Sequence, residues 1–508
     1  MERVAPRNLN YDDVLPLAIS SRAQRRQFAS TNGSEFSNTT GATICKVDVN
    51  ADSMLDAGHS YLSMTLTNQT GTAHTFLMCD IGCPWIQRLV ISSGGVVIED
   101  INEYGRLYAA MLLNQTSEDY ARNVCGAYGL VGVVGTSAVQ AGSLTLHPLG
   151  DGAGHAHAAS VGGWSSGGEI GYIPTACSLG AGITAAGVRP TDNAGHHPTA
   201  DGLLVYARDT GAIAKDGSRT IVLPLLSGFL NMDKYIPLIM MNAGFTIEIH
   251  LAAANKIGCS VTQQNDAKHS DTLVDSLWKL SNVKYNAQLI DLDASFYGKL
   301  RGVMDASGGV LQLAGQTYRH YAGQLGSGAS EYSITLPARV KSIKSIFGAF
   351  IDANQVNSKT SYGTSVFQNG ALTQFRFEIG SVRYPQTDVK MNGFSKSEVV
   401  AELHKAFGRL GDYAHSSCVR PKHLFNIQTA VSPISAGSSG LAGFLIGYDF
   451  EAFQRVALES GINTADRSLP VNFICSKTAT TNATQCDFYV LSDAIYYIQS
   501  DGTVSVSV

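Results

Sequence analysis

The stretch Gln374-Phe-Arg-Phe-Glu-Ile-Gly-Ser-Val-Arg-Tyr384 decides how this chain is read. Phe375, Phe377 and Ile379 alternate with Arg376 and Glu378, the two-residue period of a half-buried strand. Gly380 and Ser381 turn the chain, and Val382 and Tyr384 return it. Downstream, Ser395 and Glu398 stand at capping-box spacing. Val399, Val400, Leu403, Phe407 and Leu410 then share one helical stripe that Gly411 closes. The unit over 374–411 is therefore a hairpin followed by an amphipathic helix.

The same unit recurs over 86–114. Trp85 to Ile91 leads into Ser92-Ser-Gly-Gly95, Val96 to Ile98 returns, and Ile101, Tyr104, Leu107, Tyr108, Met111 and Leu112 form a helical stripe. Glu99, Asp100 and Glu103 are expected at the start of this helix, where carboxylates favour its dipole. One supersecondary unit used twice in a β-rich chain implies two related domains in tandem, with the helices in equivalent places.

A chain of 508 residues exceeds one ordinary core and fits two large β domains of about 200–250 residues each. Only 15% of residues are charged and 52 are Gly, so the surface is expected to rest on Ser, Thr, Asn, Gln and Gly, which suits extensive protein contact. A net charge of −5 argues against a general nucleic-acid binder. Nine scattered cysteines, odd in number, read as reduced thiols rather than a disulfide framework. Cys79 and Cys83 lack a partner motif at zinc spacing, and no metal or cofactor site is expected. Met1–Ser30 lacks signal-peptide character and no long apolar run spans a membrane. The five sequons at Asn32, Asn38, Asn68, Asn114 and Asn482 therefore read as chance matches.

Along the chain, residues 1–40 read as an N-terminal arm, with Arg22, Arg25 and Arg26 as candidate contacts. A first antiparallel β domain follows over 41–300. Leu62, Met64 and Leu66, and later Phe245, Ile247, Ile249 and Leu251, alternate with polar residues there. The Gly-, Ala- and His-rich segment 134–218 is too long for an ordinary loop and reads as an external insertion anchored by Trp164, Tyr172 and Tyr206. Its histidines read as solvated loop residues. Pro224 and Pro237 interrupt apolar runs and belong at strand ends or edges. The second domain covers 301–508 in the same style and ends on an alternating strand at Val504, Val506 and Val508.

Taken in order, these segments resemble the double jelly-roll major capsid proteins of icosahedral double-stranded DNA viruses, of the polinton-like virus, adintovirus and virophage type. The likeness is carried by Ile98-Glu-Asp-Ile-Asn-Glu-Tyr104, Leu223-Pro-Leu-Leu-Ser-Gly-Phe-Leu230 and Tyr235-Ile-Pro-Leu-Ile239. It continues through Tyr285–Asp293, Arg339–Phe347, Tyr384-Pro385 and Glu459–Asn463 to Asp501-Gly502. It implies an all-β fold of two tandem eight-stranded antiparallel jelly rolls with short helices and long loop insertions. It further implies a homotrimer forming a pseudo-hexameric capsomer in the virion shell, assembled inside the host cell. Implied partners are neighbouring capsomers, penton and minor capsid proteins, an internal membrane or the genome through the arm, and a host surface receptor through the external loop.

Two other classes compete. A secreted carbohydrate-binding or adhesin β-sandwich would suit the Gly, Thr and Asn content, but conflicts with the absent leader and the cysteine pattern. A β-rich hydrolase would need convergent titratable groups. No nucleophile elbow, Walker loop or His-Glu-X-X-His occurs, so no catalytic residue is assigned and the chain is read as a non-enzyme. Asp291 and Asp293 are read as terminating a strand.

Overall fold

The computed structural model describes residues 19–39, 42–70, 75–78, 83–116, 212–213, 216–260, 275–356, 367, 369–391, 397–411, 444–453, 458–466, 469–480 and 482–508. Among the described residues sixteen main strands form two β-sandwiches in succession. The first holds β1 Ser21–Ala29, β2 Ile44–Val49, β3 Met54–Asn68, β4 Ile86–Ser93, β5 Val96–Asn102, β6 Ser218–Leu223, β7 Phe245–Leu251 and β8 Trp278–Leu292. The second holds β9 Val310–Leu325, β10 Ser330–Leu336, β11 Ile343–Asp352, β12 Leu372–Ile379, β13 Val382–Lys390, β14 Leu445–Asp449, β15 Val471–Lys477 and β16 Thr484–Gln499. Helix α1, Tyr104–Gln115, follows the fifth strand of the first sandwich. Helix α2, Ala294–Ala306, joins the sandwiches, and α3, Ser397–Ala406, follows the fifth strand of the second.

The two sandwiches have one topology. In the first, the sheets run β1-β8-β3-β6 and β2-β7-β4-β5; in the second, β9-β16-β11-β14 and β10-β15-β12-β13. In each the first strand pairs with the eighth, the third with the sixth, the second with the seventh and the fourth with the fifth, all antiparallel. That double Greek-key order is a jelly roll, in which two packed sheets share one core. Short strands extend the sheets: Glu35–Ser37 pairs with β8, Ile236–Pro237 with β3, and Val504–Ser507 with β16.

Period-two alternation explains most of the packing. On β12 Phe375, Phe377 and Ile379 are buried, and with Phe473 and Phe488 they build an aromatic core in the second sandwich. On β11 both faces are covered. Ile346 and Phe350 enter that core, whereas Phe347, Ala349 and Ile351 face the other way, into the cluster shared with the first sandwich. β16 divides in the same manner, Phe488 and Val490 inward and Tyr489 and Tyr496 outward. The sheet β9-β16-β11-β14 is thus the wall between the domains.

Several expectations need correction. Residues 21–29 were expected in an arm but form β1, paired along its whole length with β8 from Ser21↔Leu292 to Ala29↔Lys284. Gln24, Gln27 and Phe28 reach β8 side chains or register partners, so the sandwich includes this strand rather than starting at 41. The strand was illegible because, apart from Ala23, Phe28 and Ala29, its side chains are polar, and all but Phe28 are exposed, which leaves no alternation. Glu99 and Asp100 lie in β5, not in the helix, and Glu103 precedes α1 in the left-handed region (φ 48°) without capping it. By contrast β8 does end between Asp291, its penultimate residue, and Asp293, which opens α2, as their reading as strand terminators requires.

Helix α3 also ends earlier than Gly411. Gly408 takes a positive φ of 63°, its N–H donates to the Lys405 carbonyl, and the Arg409 N–H donates to the His404 carbonyl. That is a Schellman closure, which leaves Leu410 outside the stripe and 57% exposed. Glu398 accepts the Lys390 N–H, while Ser395 lies outside the described residues.

Candidate functional site

The chemistry of this chain concentrates in the seam between its sandwiches. Helix α1 fills it. Tyr104, Leu107, Ala109 and Ala110 are fully buried, and Arg106 beside them is only 2% exposed. The Arg106 guanidinium donates from Nη1 to Asp487 Oδ2 on β16 at 2.5 Å, and His320 Nε2 on β9 lies 2.8 Å from the other carboxylate oxygen. Burial alone would push the Asp487 carboxyl up, but Arg106 and the His320 contact outweigh it and hold it at about 2. Next to them Glu103 meets Lys256 Nζ at 2.7 Å, and the Tyr489 hydroxyl donates to the Glu103 carbonyl at 2.9 Å. Helix, first sandwich and second sandwich are therefore bound by charge-assisted hydrogen bonds, which are roughly twice as strong as neutral ones.

A second junction forms around Glu99 on β5. Its carboxylate accepts from the Ser227 hydroxyl and from the Gly228 N–H (3.0 Å) on one side. On the β9 side it accepts from the Thr317 hydroxyl (3.3 Å). Burial raises its pKa against the pull of these donors. Gly228 is required here, because a Cβ at that position would lie 1.7 Å from the Gln316 carbonyl oxygen. Phe229 then packs edge-on against Tyr496 at 5.1 Å, whose hydroxyl donates to that same Gln316 carbonyl. The run Leu223–Leu230, whose Pro224 interrupts an apolar stretch in the sequence, is the plug that closes the domains onto each other.

Helices α1 and α3 meet at their ends, where Arg409 Nη1 donates to the Gln115 carbonyl at 3.1 Å. Phe407 stacks on Phe347 at 4.9 Å, and Leu403 lies over Gly447 of β14. Beside the seam, β5, β9 and the terminal strand border an open cleft of about 540 Å³ lined in part by Val97, Asp100, Asn102, Arg319 and Val508. Glu99 and His320 also line it, each held by the seam contacts above, and Asp100 is engaged by Arg88 at 2.5 Å.

The residues named from sequence fall elsewhere. Arg22, Arg25 and Arg26 stand on exposed β1, where Arg25 donates to the Tyr61 hydroxyl at 3.0 Å and Arg26 lies over the Phe28 ring at 5.0 Å. Trp164, Tyr172 and Tyr206 lie outside the described residues, as does nearly all of 134–218. Sequence reasoning missed Arg106, Asp487 and His320. An arginine inside the apolar stripe of a predicted helix was the available signal.

No family model and no curated protein matches the sequence. Solved structures do match the fold. The PBCV-1 virus capsid protein aligns with a TM-score of 0.54 at 10% identity, over 98% of this chain and 99% of that one. The mavirus major capsid protein gives 0.52 at 9% identity, over 100% and 95%. The Sputnik virophage structure gives 0.52 at 9% identity, over 100% and 93%. At such identity the likeness is one of fold, and with the strand orders above it establishes a double jelly roll along the chain.

Proposed function

We propose that the protein is a major capsid protein, three copies of which form a pseudo-hexameric capsomer that tiles an icosahedral shell around a double-stranded DNA genome. The observation that carries this reading is the repeated strand order with a sealed seam. Two equivalent sandwiches held side by side in one chain let three chains present six similar units around an axis. The role is structural rather than enzymatic, with the virion shell as the site of action.

The assembly contacts in this reading come from the walls left exposed. Among the described residues β1 is paired on one edge only, and its faces are exposed, while α2, which packs against β9, leaves Val303 54% exposed. A strand edge of this kind pairs readily with another chain. Arg22, Arg25 and Arg26 would meet neighbouring capsomers, minor or penton proteins, a membrane or the genome from there. The 134–218 insertion, with Trp164, Tyr172 and Tyr206, would project outward and meet a receptor. Electron microscopy of expressed protein tests the proposal, the expected result being pseudo-hexagonal particles. Sedimentation as a folded monomer at micromolar concentration, with no such particles, would overturn it.

A further inference from the structure

In the second sandwich three buried side chains converge from β11, β16 and the segment after β14. Lys344 Nζ lies 2.8 Å from Glu451 Oε1 and 3.5 Å from Asp493 Oδ1. The side chains of Lys344, Glu451 and Asp493 are 9%, 8% and 4% exposed. The two oxygens of Asp493 differ. Oδ2 accepts from the Ser342 hydroxyl at 2.7 Å and the Glu459 N–H at 2.9 Å. Oδ1, buried and aimed at the lysine, makes no hydrogen bond.

We propose that this cluster is a self-modification site, at which Lys344 and Asp493 form an intramolecular isopeptide bond assisted by Glu451. The Nζ lone pair, freed when its proton passes to Glu451, attacks the Asp493 carboxyl carbon. Charge then develops on Oδ2, where the Ser342 hydroxyl and Glu459 N–H already stand at the distances that stabilise an oxyanion. Oδ1 is the leaving oxygen. Glu451 carries two protons in succession from Nζ to Oδ1, the first freeing the amine and neutralising the carboxyl it attacks, the second lost from nitrogen as the amide forms, so Oδ1 departs as water, one N–C bond forms, one C–O bond breaks, and nothing is oxidised or reduced.

The surrounding backbone is built to hold this geometry. Ile343 and Ile462 exchange both backbone hydrogen bonds, and the Gly461 N–H donates to the Ser342 hydroxyl oxygen. A Cβ at Gly461 would lie 2.1 Å from the Ile343 carbonyl oxygen, so only glycine lets the segment come this close. Glu459, which supplies the second donor, sits at a positive φ of 57°, a conformation that costs a non-glycine residue energy and recurs at functional sites. The reacting groups are thereby oriented before reaction, which is where intramolecular chemistry gains its rate. The bond would join two neighbouring strands that are remote in sequence and lock the sheet facing the seam.

The test is intact-mass spectrometry of the purified full-length chain under denaturing conditions, with peptide mapping. The expected result is a mass lower than the sequence mass by one water, and a branched peptide joining the segments that contain Lys344 and Asp493. Lys344→Arg and Glu451→Gln should restore the full mass while sedimenting as the parent does. A wild-type chain at full mass overturns the proposal and leaves an ion pair only; so does a deficit that persists in Lys344→Arg. If either variant fails to fold, the wild-type mass and branched peptide decide alone, whatever the protein assembles into.

Discussion

Helices α1 and α3 hold the same place in their sandwiches, each between the fifth and sixth strands, yet they end in different surroundings. α3 behaves as an amphipathic helix should. Val399, Leu403 and Ala406 are buried, His404 is exposed, and Glu402 and Lys405 pair at the rim. α1 has almost no free face, because one side serves its own sandwich and the other meets β16 of the next. Its Arg106 is therefore enclosed, and a buried arginine is tolerated only with a partner. A repeated unit keeps its topology, while the neighbour it meets decides which of its residues are structural.

Breaking the seam on the α1 side should have the largest effect. Arg106→Ala leaves Asp487 buried without its main cation and should cost about 3–5 kcal/mol in denaturant unfolding. Replacing both, Arg106→Met with Asp487→Leu, should recover most of that loss. If the single variant costs no more than a surface substitution, the seam does not hold the sandwiches. On the α3 side, Leu403→Ala removes a fully packed side chain against Gly447 and should cost about 2–5 kcal/mol, of the kind that follows core cavities.

Acid should separate the two junctions of the seam. Asp487 is held at about 2 against an ordinary 3.8. Because the folded value is depressed, its contribution, about 2 kcal/mol, is fully present above about pH 4 and is lost as pH falls through about 2. Unfolding midpoints measured across that window should fall for the parent and change less for Asp487→Asn. Glu99 acts with the opposite sign. Burial raises its pKa, so the penalty of its ionised form disappears on protonation, and Glu99→Gln should be milder at neutral pH than Asp487→Asn.

The smallest effects sharpen where α3 ends. Gly408→Ala places a side chain at positive φ and should cost about 1 kcal/mol. Leu410→Ser, beyond that closure, should stay within about 0.5 kcal/mol. A larger loss at Leu410 than at Gly408 would mean that the stripe continues to Gly411 after all.

The hairpins were legible because each has one wet and one dry face, so Phe375, Phe377 and Ile379 write the sheet's period directly into the sequence. β1 was not legible, since Arg22, Arg25 and Arg26 lie on a strand exposed on both faces and held by backbone pairing, which any side chain permits. Of the seam, the sequence displayed Leu223–Leu230 as apolar and punctuated by Pro224 and Gly228. It did not display that Gly228 presses on Gln316, because that contact joins residues with no shared period.

The Lys344 cluster is hidden for the same reason, its three members being spread from β11 to β16. Local alternation, helix stripes and glycine punctuation by themselves determined two β domains with a hairpin–helix unit in each, since those patterns reflect interactions between residues a few positions apart. The pairing of Arg106 with Asp487, the burial of Glu99 and the convergence of Lys344, Glu451 and Asp493 were decided only in three dimensions. Each depends on which strands become neighbours, and a charged side chain acquires its meaning only when desolvation and a specific partner act on it together.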